Sequence, residues 1–537
     1  MTTPSENISA LIFNLSRSMP DRTAIVHGEK TYTFLQLEEE VSALAGGFRE
    51  LGINRGDRVS LMIPPSFEFV AASFALFRCG AVIVFIDPGI GFANMGKCLD
   101  GSTPKVFVGI TKAHIGRVLG GWARKSLDTF VTLGPRLGWG GYSLAQVRAK
   151  CKTPLPPENT GPDAAVLFTS GSTGAPKGAC YTHSIFAEQA RLLKLMFDVR
   201  EGETSVPTFP LFALFDVALG MRAVIPSMDF TRPARANPRH ISGLINEFGA
   251  AQLFGSPALL DTLSRYGQSA GLKMPSLRRV ISCGAPVQGK IIKRVLPMLS
   301  PGVQVYTPYG ATEALPVALT GSDELLGDAV ALSAQGAGVC VGRPVDGVTV
   351  RIIAINDGPL ERMDSSLEMQ SGQTGEIAVS GPAVTASYFR NEKGDALSKI
   401  RGEGGAVFHR MGDAGYLDEK GRLWFCGRKS QRVTAGGKVY FTVPCEGVFN
   451  AHPAVRRSAL VGAGSGSARR PVMLVELEDG KGMTTALEKE LLALSAGNPR
   501  TADIKTVLAH PAFPVDIRHN AKISREMLSA WAEEKLS

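Results

Sequence analysis

No two cysteines of this chain stand in a CxxC pair. The eight lie at 79, 98, 151, 180, 283, 340, 426 and 445, which excludes a zinc-ribbon or thioredoxin-like motif and points to reduced thiols. There is no long Lys/Arg block either. The net charge of +9 is carried by basic residues scattered along 537 positions, so anionic small molecules are better partners than nucleic acid. The most apolar stretch, FVAASFALFRCGAVIVFIDP (69–88), is interrupted by Arg78 and Gly80. It reads as a buried helix followed by a strand, not a membrane span, which leaves peripheral contact as the only membrane role expected. The opening MTTPSENISALIFNLSRSMPDR lacks a basic start followed by a long apolar run, so no signal peptide is expected and the reading is cytoplasmic. Internal repeats are absent, and so is the Gly-x4-Gly-Lys-Ser/Thr pattern of a Walker A loop.

What is present is ordinary globular composition, 44% hydrophobic and 20% charged, in a chain too long for one core. Strand signals RVSLMI (58–63), AVIVFI (81–86), KVFVGI (105–110), AAVLF (164–168) and RRVISC (278–283) alternate with helical patterns such as FLQLEEEVSALAGGFREL (34–51). The alternation predicts α/β architecture with largely parallel sheets. From about 340 the pattern changes to short strands, TVRIIAI (349–355), GEIAVSG (375–381) and GRLWFCG (421–427), which predict a smaller β-rich subdomain. After 428, strands SALVGA (458–463) and VMLVEL (472–477) and a helix over 485–496 predict a separate α+β domain. The expected division is therefore 1–427, an N-terminal domain of α/β subdomains plus a β-rich one, and 428–537, a small mobile domain.

The stretch FTSGSTGAPKG (168–178) follows a strand signal and has almost no side-chain bulk. Gly171 and Gly174 let the backbone approach a ligand, and successive amides in such a turn make a concave surface for anions. Thr169, Ser170, Ser172 and Thr173 add hydroxyls and Lys177 a cation, which suits a polyphosphate better than a flexible linker would. YTPYGATEALP (306–316) offers Tyr309 to stack on a base, Gly310 to leave room for it, Thr312 to donate to a phosphate oxygen and Glu313 as a hard oxygen ligand suited to Mg2+. A turn with a helix-capping Thr-Glu pair explains the same residues. CGAPV (283–287) is a turn or a flat slot for adenine. RMGDAGYLDEKGRLWFCGR (410–428) puts Asp413 on a turn and Arg428 after a strand.

In this order the motifs resemble the adenylate-forming superfamily of acyl-CoA synthetases, luciferases and peptide-synthetase adenylation domains, across nearly the whole chain. The resemblance implies ATP and Mg2+ as cofactors. Thr169 to Lys177 would hold the β- and γ-phosphates, and Gly284, Ala285, Pro286 and Tyr309 would flank adenine. Thr312 would meet the α-phosphate, Glu313 the magnesium, and Asp413 the ribose hydroxyls with Arg428 nearby. In FPVDIRHNAKISREML, Lys522 matches the family's late lysine, a cation for the charge on the reacting carboxylate and α-phosphate.

Three departures refine the resemblance. Ser430 stands where most acyl-CoA synthetases have an aspartate after the hinge arginine. AGGKVYFTVPCE replaces a CoA-binding Ser-Gly-x-Arg, and in FPLFALFDVALG (209–220) Ala213 replaces a histidine beside the acyl pocket. With FGSPALLD, FHRMGD and RLWFCGRK, these resemble the β-lactone synthetases of bacterial long-chain olefin biosynthesis. That implies adenylation of a long-chain 2-alkyl-3-hydroxy fatty acid, then attack by its own hydroxyl, beside a ketoreductase and a β-lactone decarboxylase. A long-chain acyl-CoA synthetase is the rival, and a non-catalytic acyl-binding protein the third reading. Asp216, in an apolar stretch, is either the base that deprotonates the hydroxyl or an N-cap of a helix over 217–223.

Overall fold

The structure, a computed structural model, describes residues 7–158, 160–169, 176–478, 482–515 and 523–537. The alternating region forms two sheets. The first has seven strands, in the order Tyr142–Ser143, Thr129–Leu133, Val106–Ile110, Arg58–Met62, Val82–Ile86, Asp163–Thr169 and Lys177–Thr182. All neighbours are parallel except the last pair. Its central strands read as unbroken apolar runs because a parallel sheet is covered on both faces.

Two of its helices show how the sequence sets local structure. Phe34–Glu50 starts at a capping box, in which the Gln36 amide donates to Thr33 Oγ1 at 3.1 Å and Gln36 Oε1 accepts from the Thr33 amide at 2.9 Å. Phe67–Arg78 is buried at every residue except Glu68. Arg78 is tolerated there because Glu38 receives its guanidinium at 2.5 and 2.8 Å. The chain leaves this helix through Gly80 at φ 72°, a conformation that suits glycine, and enters the strand Val82–Ile86 as expected.

The second sheet has fourteen strands. Six of them are the expected α/β array: Gln304–Ala311, Arg279–Ile281, Gln252–Phe254, Thr204–Pro207, Arg222–Ile225 and Thr23–His27 run parallel, and Lys30–Thr33 closes that end antiparallel. The other end is antiparallel and holds the short strands read after 340, from Val339–Pro344 through Leu423–Arg428, Val407–Leu417 and Gly375–Ser380 to Thr349–Ile353. The β-rich region is thus not a separate layer. It continues the α/β sheet through the hairpin of Gln304–Ala311 and Ala314–Gly321, where strand direction reverses.

Beyond Arg428 the chain builds two small sheets. Val433–Ala435 pairs with Lys438–Tyr440 around Gly436 and Gly437, both at positive φ, the backbone that a tight hairpin needs. Val455–Ala463, Arg470–Leu477 and Val507–Ala509 form the other, packed by helices Thr442–Asn450, Thr485–Ala496 and Arg525–Leu536. Arg525 ties the last helix to Glu446 at 2.5 Å. Lys429 donates to the Asn356 carbonyl at 2.8 Å and pairs with Glu376 at 3.1 Å. None of the eight cysteines forms a disulfide. Among the described residues no helix is long and apolar enough to cross a membrane.

Candidate active site

The residues singled out in 306–316 sit where the large sheet reverses. Thr312 and Glu313 are the two residues between the paired strands Gln304–Ala311 and Ala314–Gly321, so the helix-capping reading of this pair is overturned. The hairpin itself requires a glycine at Gly310, because a Cβ there would fall 2.6 Å from the Ala314 carbonyl oxygen.

Two chain segments converge on this turn. Tyr181, from the strand that Lys177 begins, donates its hydroxyl to the Thr312 carbonyl at 2.5 Å. Thr385 donates its amide to the Glu313 carbonyl at 2.8 Å. Tyr388 donates its hydroxyl to Glu313 Oε1 at 2.7 Å. Residues 384–389 knit the set together, bridging Ala314 at Val384 and Ala179 at Tyr388. One ring links two cations to the carboxylate, with Lys177 Nζ 5.1 Å and Lys399 Nζ 5.5 Å from the Tyr388 centroid. The Lys399 ammonium also donates to the Thr385 carbonyl at 2.5 Å. Burial pushes it down to about 8, while Glu313 and Asp395 pull the other way. Tyr181, Thr385, Tyr388 and Lys399 were not identified from sequence.

Asp413 departs from its expected place. It lies inside the long strand Val407–Leu417, 5% exposed, not on an exposed turn. Gly412 at φ 66° and the register shift after Ala414 bend the strand there, so Gly and Asp mimic a turn signal at a bulge. Arg428 ends the neighbouring strand directly opposite and donates to Asp413 Oδ1 at 2.9 Å, while the Tyr309 hydroxyl donates to Oδ2 at 2.6 Å. Burial raises the Asp413 carboxyl, and Arg428 and Tyr309 draw it back. Each carboxylate oxygen retains a lone pair for a further donor.

The polyphosphate stretch begins where the antiparallel pair ends. Thr169 closes Asp163–Thr169 and pairs with Lys177. Ser170, Gly171, Ser172, Thr173 and Gly174 lie outside the described residues, as does Lys522. Beside Lys522, Val515 and Ile523 form an antiparallel bridge. Gly284, at φ 93°, Ala285 and Pro286 follow the strand Arg279–Ile281 at its C-terminal end, the edge at which open α/β sheets hold ligands.

Asp216 lies elsewhere. The helix around it is Pro210–Ala218, so Asp216 is in its last turn, and the N-cap reading is overturned. Proline favours the first helical position, and Pro210 was the signal for the earlier start. The carboxylate is 1% exposed. Gln252 donates to Oδ1 at 3.0 Å, and Oδ2 has no hydrogen-bond partner among the described residues. Burial pushes the group up to about 7, against Ser205, Arg279 and Gln252. It borders a cavity of about 10 Å³ lined by Leu193, Phe197, Phe212, Leu219 and Ile281, room for one water. Gln252 and Arg279 open their strands, so their partner Asp216 faces the edge of the sheet opposite Gly284–Pro286.

Residues 14–389 match the family of AMP-binding enzymes. The chain belongs to that family. Among its curated relatives are the olefin beta-lactone synthetases of Stenotrophomonas maltophilia, 46% identical over 99% of this chain and 98% of the relative, and of Xanthomonas campestris pv. campestris, 44% identical over 98% of each. The fold matches the crystal structure of an anthranilate CoA ligase in complex with anthranoyl-AMP, with a TM-score of 0.81 and 17% identity over 100% of this chain and 99% of that one. At that identity the likeness speaks for the fold alone. The AMP-binding family match spans the phosphate stretch, the adenine turn and the Thr312–Glu313 hairpin, and stops before Asp413.

Proposed function

We propose that this AMP-binding enzyme is an olefin β-lactone synthetase. It adenylates a long-chain 2-alkyl-3-hydroxy fatty acid and closes the acyl-adenylate to a β-lactone, releasing pyrophosphate and then AMP. The observation that carries this reading is the 44–46% identity to two olefin beta-lactone synthetases along essentially the whole chain.

A carboxylate is a poor electrophile because its charge and resonance oppose attack. In the first step its oxygen attacks the α-phosphorus of ATP and pyrophosphate leaves. The task is to bring two anions together, which is positioning and charge stabilisation. In our reading Thr169 to Lys177 hold the outer phosphates, Thr312 donates to the α-phosphate, and Lys522 neutralises the charge gathering there. Asp413, oriented by Arg428 and Tyr309, accepts from the ribose hydroxyls, and Gly284, Ala285 and Pro286 flank the adenine. Glu313 suits a magnesium ion delivered with ATP: Tyr388 takes one carboxylate oxygen and Oε2 makes no hydrogen bond to the described residues. One protein carboxylate plus phosphate oxygens is the usual Mg2+ arrangement. The ion would neutralise phosphate charge.

In the second step the substrate's 3-hydroxyl oxygen bonds to the acyl carbon. The bond from that carbon to the AMP oxygen breaks, and the hydroxyl proton passes to a base. No external thiol is required, in keeping with Ser430, the missing Ser-Gly-x-Arg and the apolar Ala213, buried in Pro210–Ala218. The mobile domain begins, in this reading, at 428, where the large sheet ends. The enzyme would act in the cytoplasm beside a ketoreductase that supplies the hydroxy acid and a decarboxylase that consumes the lactone.

The test is one incubation of enzyme, ATP and a 2-alkyl-3-hydroxy acid, with and without CoA. Lactone and AMP should form in both. A thioester whose formation saturates with CoA would establish the acyl-CoA synthetase reading instead.

A further inference from the structure

The helix Thr111–Gly120 is turned inside out. Its buried residues are polar: His114, whose Nε2 lies 3.0 Å from the Val131 carbonyl oxygen, and Arg117, whose guanidinium sits 4.1 Å from the centre of the Phe130 ring. Its exposed residues are apolar, Ile115, Val118 and Leu119, the last 79% exposed. A helix that packs on a core normally shows the reverse.

The neighbourhood extends the pattern. Phe92 is exposed and leans on Trp122 at 4.6 Å between centroids, beside Gly116 of this helix. Leu137 is exposed in the loop whose Pro135 carbonyl accepts from Thr111 Oγ1. Five of the eleven large apolar side chains that are exposed among the described residues therefore fall within 92–137. That clustering separates the patch from the scattered apolar surface of any soluble protein.

The charge is equally uneven. Residues 92–137 hold seven Lys or Arg against two Asp, a net +5 of the chain's +9. Lys97, Lys112, Arg124 and Lys125 are exposed and make no ion pair with a described residue. The surplus that looks dispersed along the sequence is concentrated here. The patch also begins at the C-terminal edge of the first sheet: Phe92 and Leu137 follow the C-terminal ends of Val82–Ile86 and Thr129–Leu133, and the parallel strand Asp163–Thr169 ends at the same edge.

We infer that this surface docks the enzyme on a bilayer carrying anionic lipid, with Ile115, Val118, Leu119, Phe92 and Leu137 entering the interface and the lysine and arginine rim meeting the headgroups. An apolar face with a basic border is the pattern of interfacial binding, in which buried apolar area and attraction to anionic lipid add. A second copy of the chain fits less well, because a self-complementary contact would set this positive border against itself.

The experiment is flotation of the full chain with vesicles of phosphatidylcholine alone and of equimolar phosphatidylcholine and phosphatidylglycerol. Binding is expected to the second only and to fall with salt. Ile115→Asp/Leu119→Asp should lower partitioning by at least about tenfold, through loss of two inserted side chains. Lys112→Ala/Lys125→Ala should lower it by about fivefold per charge. ATP–pyrophosphate exchange in vesicle-free solution should be unchanged in both variants, which certifies their fold and separates this inference from the lactone reaction. Equal binding to both vesicles, or variants that bind like the parent, would overturn the proposal. So would a parent that binds no vesicle and sediments as a dimer that Ile115→Asp/Leu119→Asp dissociates.

Discussion

Two carboxylates are buried against the large sheet, and they are treated differently. Asp413, inside Val407–Leu417, has a guanidinium at 2.9 Å and a tyrosine hydroxyl at 2.6 Å, one on each oxygen. Asp216, on the helix Pro210–Ala218, has one neutral amide on Oδ1, and an Oδ2 with no partner among the described residues. Burial raises both groups. Only at Asp413 does a directly paired cation oppose it, and there the carboxylate is fixed in orientation by a donor on each oxygen. That is what a group needs to receive hydroxyl donors from a ligand. Asp216 at neutral pH is divided between two protonation states and faces its own interior network. The contrast teaches that burial alone does not orient a carboxylate, whereas a second, charge-matched donor does.

The largest effect expected from breaking this contrast is at Asp413. Asp413→Asn keeps the shape, removes the acceptor charge and leaves Arg428 without its counterion. ATP–pyrophosphate exchange should fall by about a hundredfold in kcat/KM, some 2.7 kcal/mol. Stability should drop by about 2 kcal/mol, read as urea midpoint. Exchange within a factor of about two of the parent would remove Asp413 from nucleotide binding. Next comes Glu313→Gln, which keeps a partner for Tyr388 but loses the anion. It should raise the Mg2+ concentration for half-maximal nucleotide binding, followed by fluorescence of a labelled ATP analogue, by about tenfold. An unaltered magnesium titration would count against that assignment. Tyr388→Phe removes one hydrogen bond to the Glu313 carboxylate, and a loss of about 0.7 kcal/mol in the same titration is expected. If Tyr388 only packed, the magnesium curve would stay put.

The sequence made one part of this site legible and hid another, for a physical reason. Thr312, Glu313, Arg428 and Lys177 belong to short local patterns in which a glycine-rich turn or strand end must present a charge, and such patterns survive without the fold. Tyr181, Thr385, Tyr388 and Lys399 act through contacts across the chain, the Tyr388–Glu313 bond spanning 75 positions. Nothing near Tyr388 in SYFRNEKG announces the partner. The same holds for the sheet. Strand identities were readable from apolar runs, and the joining of the α/β and β-rich regions through one hairpin was not, because register between distant strands leaves no local mark. Asp413 misled because a bulge uses the same residues as a turn. Asp216 misled because the helix began at Pro210, earlier than the apolar pattern was taken to start.

The smallest effect is expected at Asp216, and its sign with pH sharpens the comparison most. The folded state raises this carboxyl from 3.8 to about 7. Between those values the folded protein holds a proton that the unfolded chain has released, so stability falls as pH rises through that window and levels off above it. Asn cannot ionise and keeps an oxygen for Gln252. Asp216→Asn should therefore differ least from the parent below about pH 4 and melt above it at pH 8, with the gap opening between. Because Asp216 faces the edge away from the nucleotide side, ATP–pyrophosphate exchange and lactone formation should both stay within about twofold of the parent. The proton of the ring-closing hydroxyl would then go to the phosphate of the departing AMP. Normal exchange with lactone formation slowed by about a hundredfold or more is the opposite result. It would mean that the substrate's hydroxyl reaches past Phe212 into the cavity beside Asp216, and that the far edge of the sheet supplies the base after all.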